Sequence, residues 1–164
     1  MHYPINWLIV FSTALVPLLV GSVWFHPKVF GNALQTSNVL YSKKNAVLLL
    51  FVSLILSLFI SISLLFSVVH QLHIFSVVMG NPDMQNPSSE LSLMLQSFIE
   101  KYGTNFRTFK HGALHGTIVG FSLALPITAI NAMLEKKSFK HIALVAAFWI
   151  ICFCLMGGII CQFA

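Results

Sequence analysis

Carboxylates are nearly missing from this sequence: Asp83, Glu90, Glu100 and Glu135 are its only acidic residues among 164. No two of them form a pair on or near an apolar segment, so two-carboxylate acid–base chemistry has no residues to work with. Paired dithiols are missing too. Cys152, Cys154 and Cys161 all fall in one apolar stretch, which excludes the C-x-x-C chemistry of a quinone-linked thiol oxidoreductase and any disulfide joining distant parts of the chain. The sequence holds no G-x-S-x-G, P-loop or H-E-x-x-H motif, so serine hydrolysis, nucleotide hydrolysis and zinc-dependent proteolysis lose their usual signatures. Residues 1–5 carry no Lys or Arg, and no A-x-A site follows. The apolar N-terminal segment is therefore expected to be a retained span rather than a secretory signal. Together these absences remove several enzyme classes and leave enzymatic activity open, with a non-enzymatic role as the leading expectation.

Charge is scarce overall. Only 8% of residues are charged while 57% are hydrophobic, and the mean hydropathy is +0.88. A soluble domain carries about 25% charged residues, so this chain could not cover itself with a solvated surface. The formal net charge of +5 does not indicate nucleic acid, because the Lys and Arg residues are dispersed over connections and form no long basic run; membrane topology is the better use for them.

Four long apolar segments cover residues 5–25, 46–69, 113–134 and 139–163. Each has about 20 residues or more, enough to cross a hydrocarbon core of ~30 Å as helix, and lipid leaves no other way to satisfy the backbone of an isolated span. The predicted fold is all-α: a single four-span membrane domain over residues 1–164, an integral membrane four-helix bundle. Lys28, Lys43 and Lys44 in the first connection and Lys136, Lys137 and Lys140 around the third outnumber Lys101, Arg107 and Lys110 of the second. By the positive-inside rule, loops 26–45 and 135–138 face the cytoplasm, while both termini and the second connection face outward. The expected location is the bacterial cytoplasmic (inner) membrane, with the lipid bilayer as first partner and no nucleic acid.

The connection over residues 70–110 opens with turn formers at Gly80-Asn81-Pro82-Asp83 and Asn86-Pro87-Ser88-Ser89. Ser88 or Ser89 can then cap a helix over about 89–102, in which Leu91, Leu95, Phe98 and Tyr102 share a face and Gly103 is the stop. Such an amphipathic helix is suited to lie on the membrane surface or to cap the bundle end.

Within the spans, helices associate by close van der Waals approach, which small residues permit. Gly112, Gly116 and Gly120 form a double G-x-x-x-G stripe, Gly157 and Gly158 share a face with Cys154 and Cys161, and Gly21 continues the spacing of Thr13 and Pro17. Ser53, Ser57, Ser61, Ser63 and Ser67 fall within an arc of about 160° at 100° per residue, a face expected to meet protein. Pro17 and Pro126 sit mid-span, and each removes a backbone donor and should kink its helix. Asn6 and Asn131 are the polar marks near span ends, suited to hydrogen bonds between helices.

Histidine is the only side chain near these spans that titrates around neutral pH. His70 and His73 end the second span, and His111 and His115 begin the third at i, i+4 spacing. The four converge on one predicted end of the bundle. Two readings stand: amphipathic imidazoles resting at the interface, or a metal or haem site using His70, His111 and His115, since imidazole nitrogen suits zinc, copper and iron.

Asn6-Trp7-Leu8 and the run Gly21-Ser22-Val23-Trp24-Phe25-His26-Pro27-Lys28-Val29-Phe30-Gly31, with His111-Gly112-Ala113, Gly116, Leu125-Pro126, Asn131, Glu135-Lys136-Lys137-Ser138 and Met156-Gly157-Gly158, give the chain a resemblance to a bacterial membrane-protein family, domain of unknown function 1761. The likeness is carried by spans 1, 3 and 4. It implies a small four-span membrane protein and brings no activity, and it leaves His70 and His73 outside. Trp24 suits the headgroup region and Pro27 breaks the helix as it leaves the membrane; the same turn could form a cytoplasmic binding groove with the third connection.

Three functions are compatible with these residues. The kinked spans and serine face suggest binding or passing a small solute as a homo-oligomer. The glycine face suggests an accessory subunit of a larger membrane complex. The histidines suggest a metal or haem protein.

Overall fold

The computed structural model describes residues 3–34 and 43–164, with the side chains of residues 43–45 excepted. Part of the first connection, residues 35–42, therefore lies outside the described residues. Among the described residues every regular element is helical. Four helices are long and apolar enough to cross a membrane: α1 (Trp7–Trp24), α2 (Lys43–Val68, its apolar part Ala46–Val68), α5 (Phe109–Leu134) and α6 (Phe139–Phe163). Two shorter helices, α3 (Gln71–Val77) and α4 (Glu90–Tyr102), lie in the connection between α2 and α5. The protein is an integral membrane four-helix bundle with a helical connection between α2 and α5.

α6 is the most buried of the four spans, and its closest partner is α5. A Cβ on Gly112 would strike the Gly157 carbonyl, one on Gly116 would strike the Phe153 carbonyl, and one on Gly120 would come within 2.9 Å of the Ile150 Cα. The glycine stripe is thus covered by the chain's own α6, with Gly157 facing back onto Gly112. It is not a face left for a partner subunit, which corrects the route by which an accessory role was expected. Gly158 receives the Phe109 ring. Gly21 behaves differently: a Cβ there would meet Phe25 and Phe148 at 3.6 and 3.7 Å, ordinary contact, so no close backbone approach depends on it.

Val10, Leu64, Leu65, Val68, Val69, Met156, Ile160 and Cys161 form the core, and it sits toward the end of the bundle from which the long connection emerges. There Tyr3 Oη donates to the Gly103 carbonyl at 3.0 Å and Arg107 donates to the Ala164 carbonyl, so the first and last described residues share that end. Lower down, Thr13 Oγ1 and Ser61 Oγ are 2.6 Å apart, and Ser61 also donates to the Val10 carbonyl, tying α1 to α2. Only part of the serine arc meets protein: Ser57 and Ser61 are buried, while Ser53 and Ser63 are exposed. The wide arc exceeds what a single packed helix covers.

Both mid-span prolines are accommodated by changing the helical pitch. A 3-10 turn over Thr13–Leu15 precedes Pro17, and a π turn over Gly120–Ala124 precedes Pro126. Each absorbs the hydrogen bond that proline cannot make. α5 starts at Phe109, four residues before the apolar run, because Thr108 caps it: Thr108 Oγ1 accepts from His111 N at 3.3 Å. Ser89 caps α4 by accepting from Ser92 N at 3.2 Å. α4 buries Ser92 and Leu95 against the protein and leaves Met94, Phe98 and Tyr102 exposed.

Candidate metal-binding site

The chain breaks helix at Val69 and His70, between α2 and α3, and His70 occupies the N-cap position of α3. His111 and His115 stand one turn apart at the start of α5. Their spacing puts both imidazoles on one face, and that face meets His70. His70 Nε2 lies 3.1 Å from His111 Nε2 and 3.3 Å from His115 Nε2, and the ligand nitrogens of all three fall within 4.8 Å of one another. The rings stand at steep angles, with centroids 5.3, 4.7 and 4.5 Å apart, so the nitrogens converge and the rings do not stack. Burial first, then the His115, His111 and His73 imidazoles, pushes the His70 pKa below its ordinary value. At neutral pH its ring is neutral and able to bind a cation.

His73 does not join the group. Its Nε2 is 2.8 Å from the Phe66 carbonyl, one α3 turn removed from the cluster. The group is therefore the three histidines named from the sequence, and His73 stays outside it because its ring turns back to the Phe66 carbonyl.

Several residues that sequence reasoning missed hold the three in place. Gln71, buried beside His70, donates from Nε2 to the Asn105 carbonyl at 2.9 Å, pinning the start of α3 to the segment that leads into α5. The buried Cys161 thiol of α6 faces the Val68 carbonyl at 3.4 Å and the Phe106 carbonyl at 3.3 Å. It contacts the segments on both sides of the cluster. Phe106 adopts a left-handed backbone, φ 63°, and sets its ring 5.1 Å from that of His111. A non-glycine residue in that region is uncommon and needs its surroundings to hold it. None of Gln71, Cys161 and Phe106 carries a local sequence signal, because burial, a contact across the fold and a positive φ are properties of the folded chain.

The other candidate residues lie elsewhere. Asn6 caps α1, accepting from Ile9 N at 3.4 Å, so it serves its own helix and, among the described residues, forms no bridge between spans. Asn131 is exposed near the far end of α5. Trp24 packs on Phe30 at 4.6 Å and on Phe148 at 6.4 Å, and its buried Nε1 has no acceptor among the described residues. Near it, α1, α2 and α6 enclose a largely apolar cleft of about 500 Å³, with Ser22, Ser53 and Ser57 as its hydroxyl-bearing lining.

The family model described as protein of unknown function, DUF1761, matches residues 8–161. The match runs through α2 and the connection after it, so His70 and His73 fall inside the family region that the residue-level likeness had left out. No curated protein and no solved structure matches the chain.

Proposed function

Because the chain belongs to the DUF1761 family, whose description assigns no activity, we propose a function from its own side chains: it is a membrane protein that binds one divalent transition-metal ion through His70, His111 and His115. The observation that carries this reading is the convergence of three Nε2 atoms, with His70 Nε2 in close contact with two others. A neutral imidazole nitrogen holds either one proton or one lone pair in the ring plane. His70 Nε2 therefore makes a full hydrogen bond to only one of its two neighbours at a time. A cation between the three satisfies all of them. Zinc–imidazole bonds of about 2.0–2.1 Å place tetrahedral ligand nitrogens roughly 3.3–3.4 Å apart, close to the 3.1 and 3.3 Å of the two pairs that include His70; with all three nitrogens within 4.8 Å of one another, the ion draws His111 and His115 together. An all-imidazole set favours zinc, copper, nickel or cobalt over the oxygen-seeking magnesium and calcium. With the second connection facing outward by the positive-inside rule, the ion is captured from the external side.

Calorimetric titration of the purified protein with Zn²⁺ and Ni²⁺ tests this. One ion per chain, with affinity reduced at least about tenfold in H70A, H111A and H115A alike, is the expected result. Binding that survives in the triple variant would refute it.

A second reading rests on the cleft between α1, α2 and α6: a lipophilic solute with a hydrogen-bonding group fits its apolar walls and three serines. Solute-dependent flux or binding in proteoliposomes that S57L abolishes would support it, and no signal across amines and lipophilic compounds would dismiss it.

A further inference from the structure

The three-histidine centre has a charge problem that the chain does not solve. Neutral imidazoles donate electron pairs without neutralising a divalent ion, and the metal's own charge then dominates the local field. Among the described residues no Asp, Glu or Cys joins the group. The chain's acidic residues are Asp83, Glu90, Glu100 and Glu135, and none lies in the first turn of α5, where His111 stands. That turn adds further positive potential, from the helix N-terminus and from the exposed Lys110 beside His111. Two further donors on neighbouring segments are committed elsewhere: His73 Nε2 to the Phe66 carbonyl, and the Cys161 thiol to the Val68 and Phe106 carbonyls. Three protein ligands leave one tetrahedral position to an outside ligand.

Resting on the metal-binding reading above, we infer that the bound ion is a receptor for an oxyanion: a carboxylate or phosphate oxygen completes the coordination of the His70, His111 and His115 centre. His70 is exposed, so the group can be reached from outside the protein. Because the cluster sits where α2 and α5 leave the membrane, the same oxygen chemistry can come from a dissolved anion or from a lipid headgroup phosphate.

The experiment uses the full chain loaded with Co²⁺, whose visible absorption reports coordination. In a maltoside micelle, which brings no anion, acetate and inorganic phosphate are titrated separately; in a second arm the loaded protein is moved into nanodiscs containing phosphatidylglycerol with no added anion. The expected result is a saturable band shift with one anion per cobalt. A shift in the micelle titration identifies a dissolved anion as sufficient, and a shift on transfer to phosphatidylglycerol alone identifies the headgroup; either supports the inference. Tight cobalt binding with a spectrum that no anion or lipid changes would overturn it while leaving metal binding intact. Failure to bind cobalt or zinc at all would overturn both. Because H73A leaves the three ligands in place, its loaded spectrum should respond to anions as the unmodified protein does; an unmodified protein that gives no response while H73A gains one would show that His73 supplies the fourth ligand, and would overturn the inference.

Discussion

Gly116→Ala should destabilise the bundle, whereas Gly21→Ala should not. At Gly116 the added Cβ would overlap the Phe153 carbonyl of α6, and at Gly112, one turn earlier, the Gly157 carbonyl is equally close. Backbone cannot swing away as a side chain can, so α5 and α6 must separate by on the order of 1 Å along the whole stripe. Dispersion falls steeply over such a gap, and overpacking of this kind costs about 1–3 kcal/mol. Alanine recovers up to ~1 kcal/mol of helix propensity, so a net loss of roughly 1–2 kcal/mol is expected. At Gly21 the Cβ would find Phe25 and Phe148 at 3.6 and 3.7 Å, contacts that attract. There the propensity term stands alone, and a gain of about 0.4–1 kcal/mol follows. Unfolding both variants by SDS titration in mixed micelles, followed by far-UV circular dichroism, gives the two values. Equal stability for both variants, or a loss confined to Gly21→Ala, would refute the assignment of α5–α6 as the closest interface.

Ser61→Ala removes the buried bridge to Thr13 and the Val10 carbonyl and should cost about 0.6–1.7 kcal/mol, the range for hydrogen bonds between spans, read by the same titration; no change would mean that the hydroxyls pair equally well without it. Gln71→Ala frees the start of α3 from Asn105 and, by letting His70 wander, should weaken Zn²⁺ binding by about 10–100-fold while the Zn²⁺ stoichiometry stays at one. A Gln71→Ala protein with unchanged affinity would show that His70 is positioned by other contacts. The lowered His70 pKa sets the pH dependence. Unfolding raises this pKa, so the unfolded chain binds more protons; the contribution of His70 to stability is full above the ordinary histidine range and declines as pH falls toward the folded value. Metal affinity follows the same sense, because protons compete for the same nitrogen: Zn²⁺ binding should persist to lower pH than for an unperturbed imidazole, and an affinity already falling above neutral pH would contradict the neutral His70.

The spans were legible because hydropathy over about 20 residues is additive and needs no knowledge of neighbours. The glycine stripe was legible as spacing, but its partner was not: only the fold shows that Gly116 meets Phe153 of the same chain rather than another subunit. At the site, His111 and His115 follow from a spacing of four on one helix. That His70 joins them rests on how α3 leaves α2 at residues 69–70, and with no Pro or Gly there the sequence carries no marker for that break; that His73 stays apart rests on its contact with the Phe66 carbonyl. α5 begins at Phe109, before the apolar run at 113, because Lys110 and His111 lower the hydropathy of a turn that is helical nonetheless, held by the Thr108 cap. Gln71, Cys161 and the left-handed Phe106 act through contacts made across the fold, which no local pattern encodes.

X-ray absorption at the zinc edge of the loaded protein reads the ligand shell of the bound ion. Three imidazole nitrogens at about 2.0–2.1 Å with one further light-atom ligand are expected, and H111A should remove one of the three. A shell containing sulfur, or a six-oxygen shell indifferent to H111A, would contradict metal binding by the three histidines.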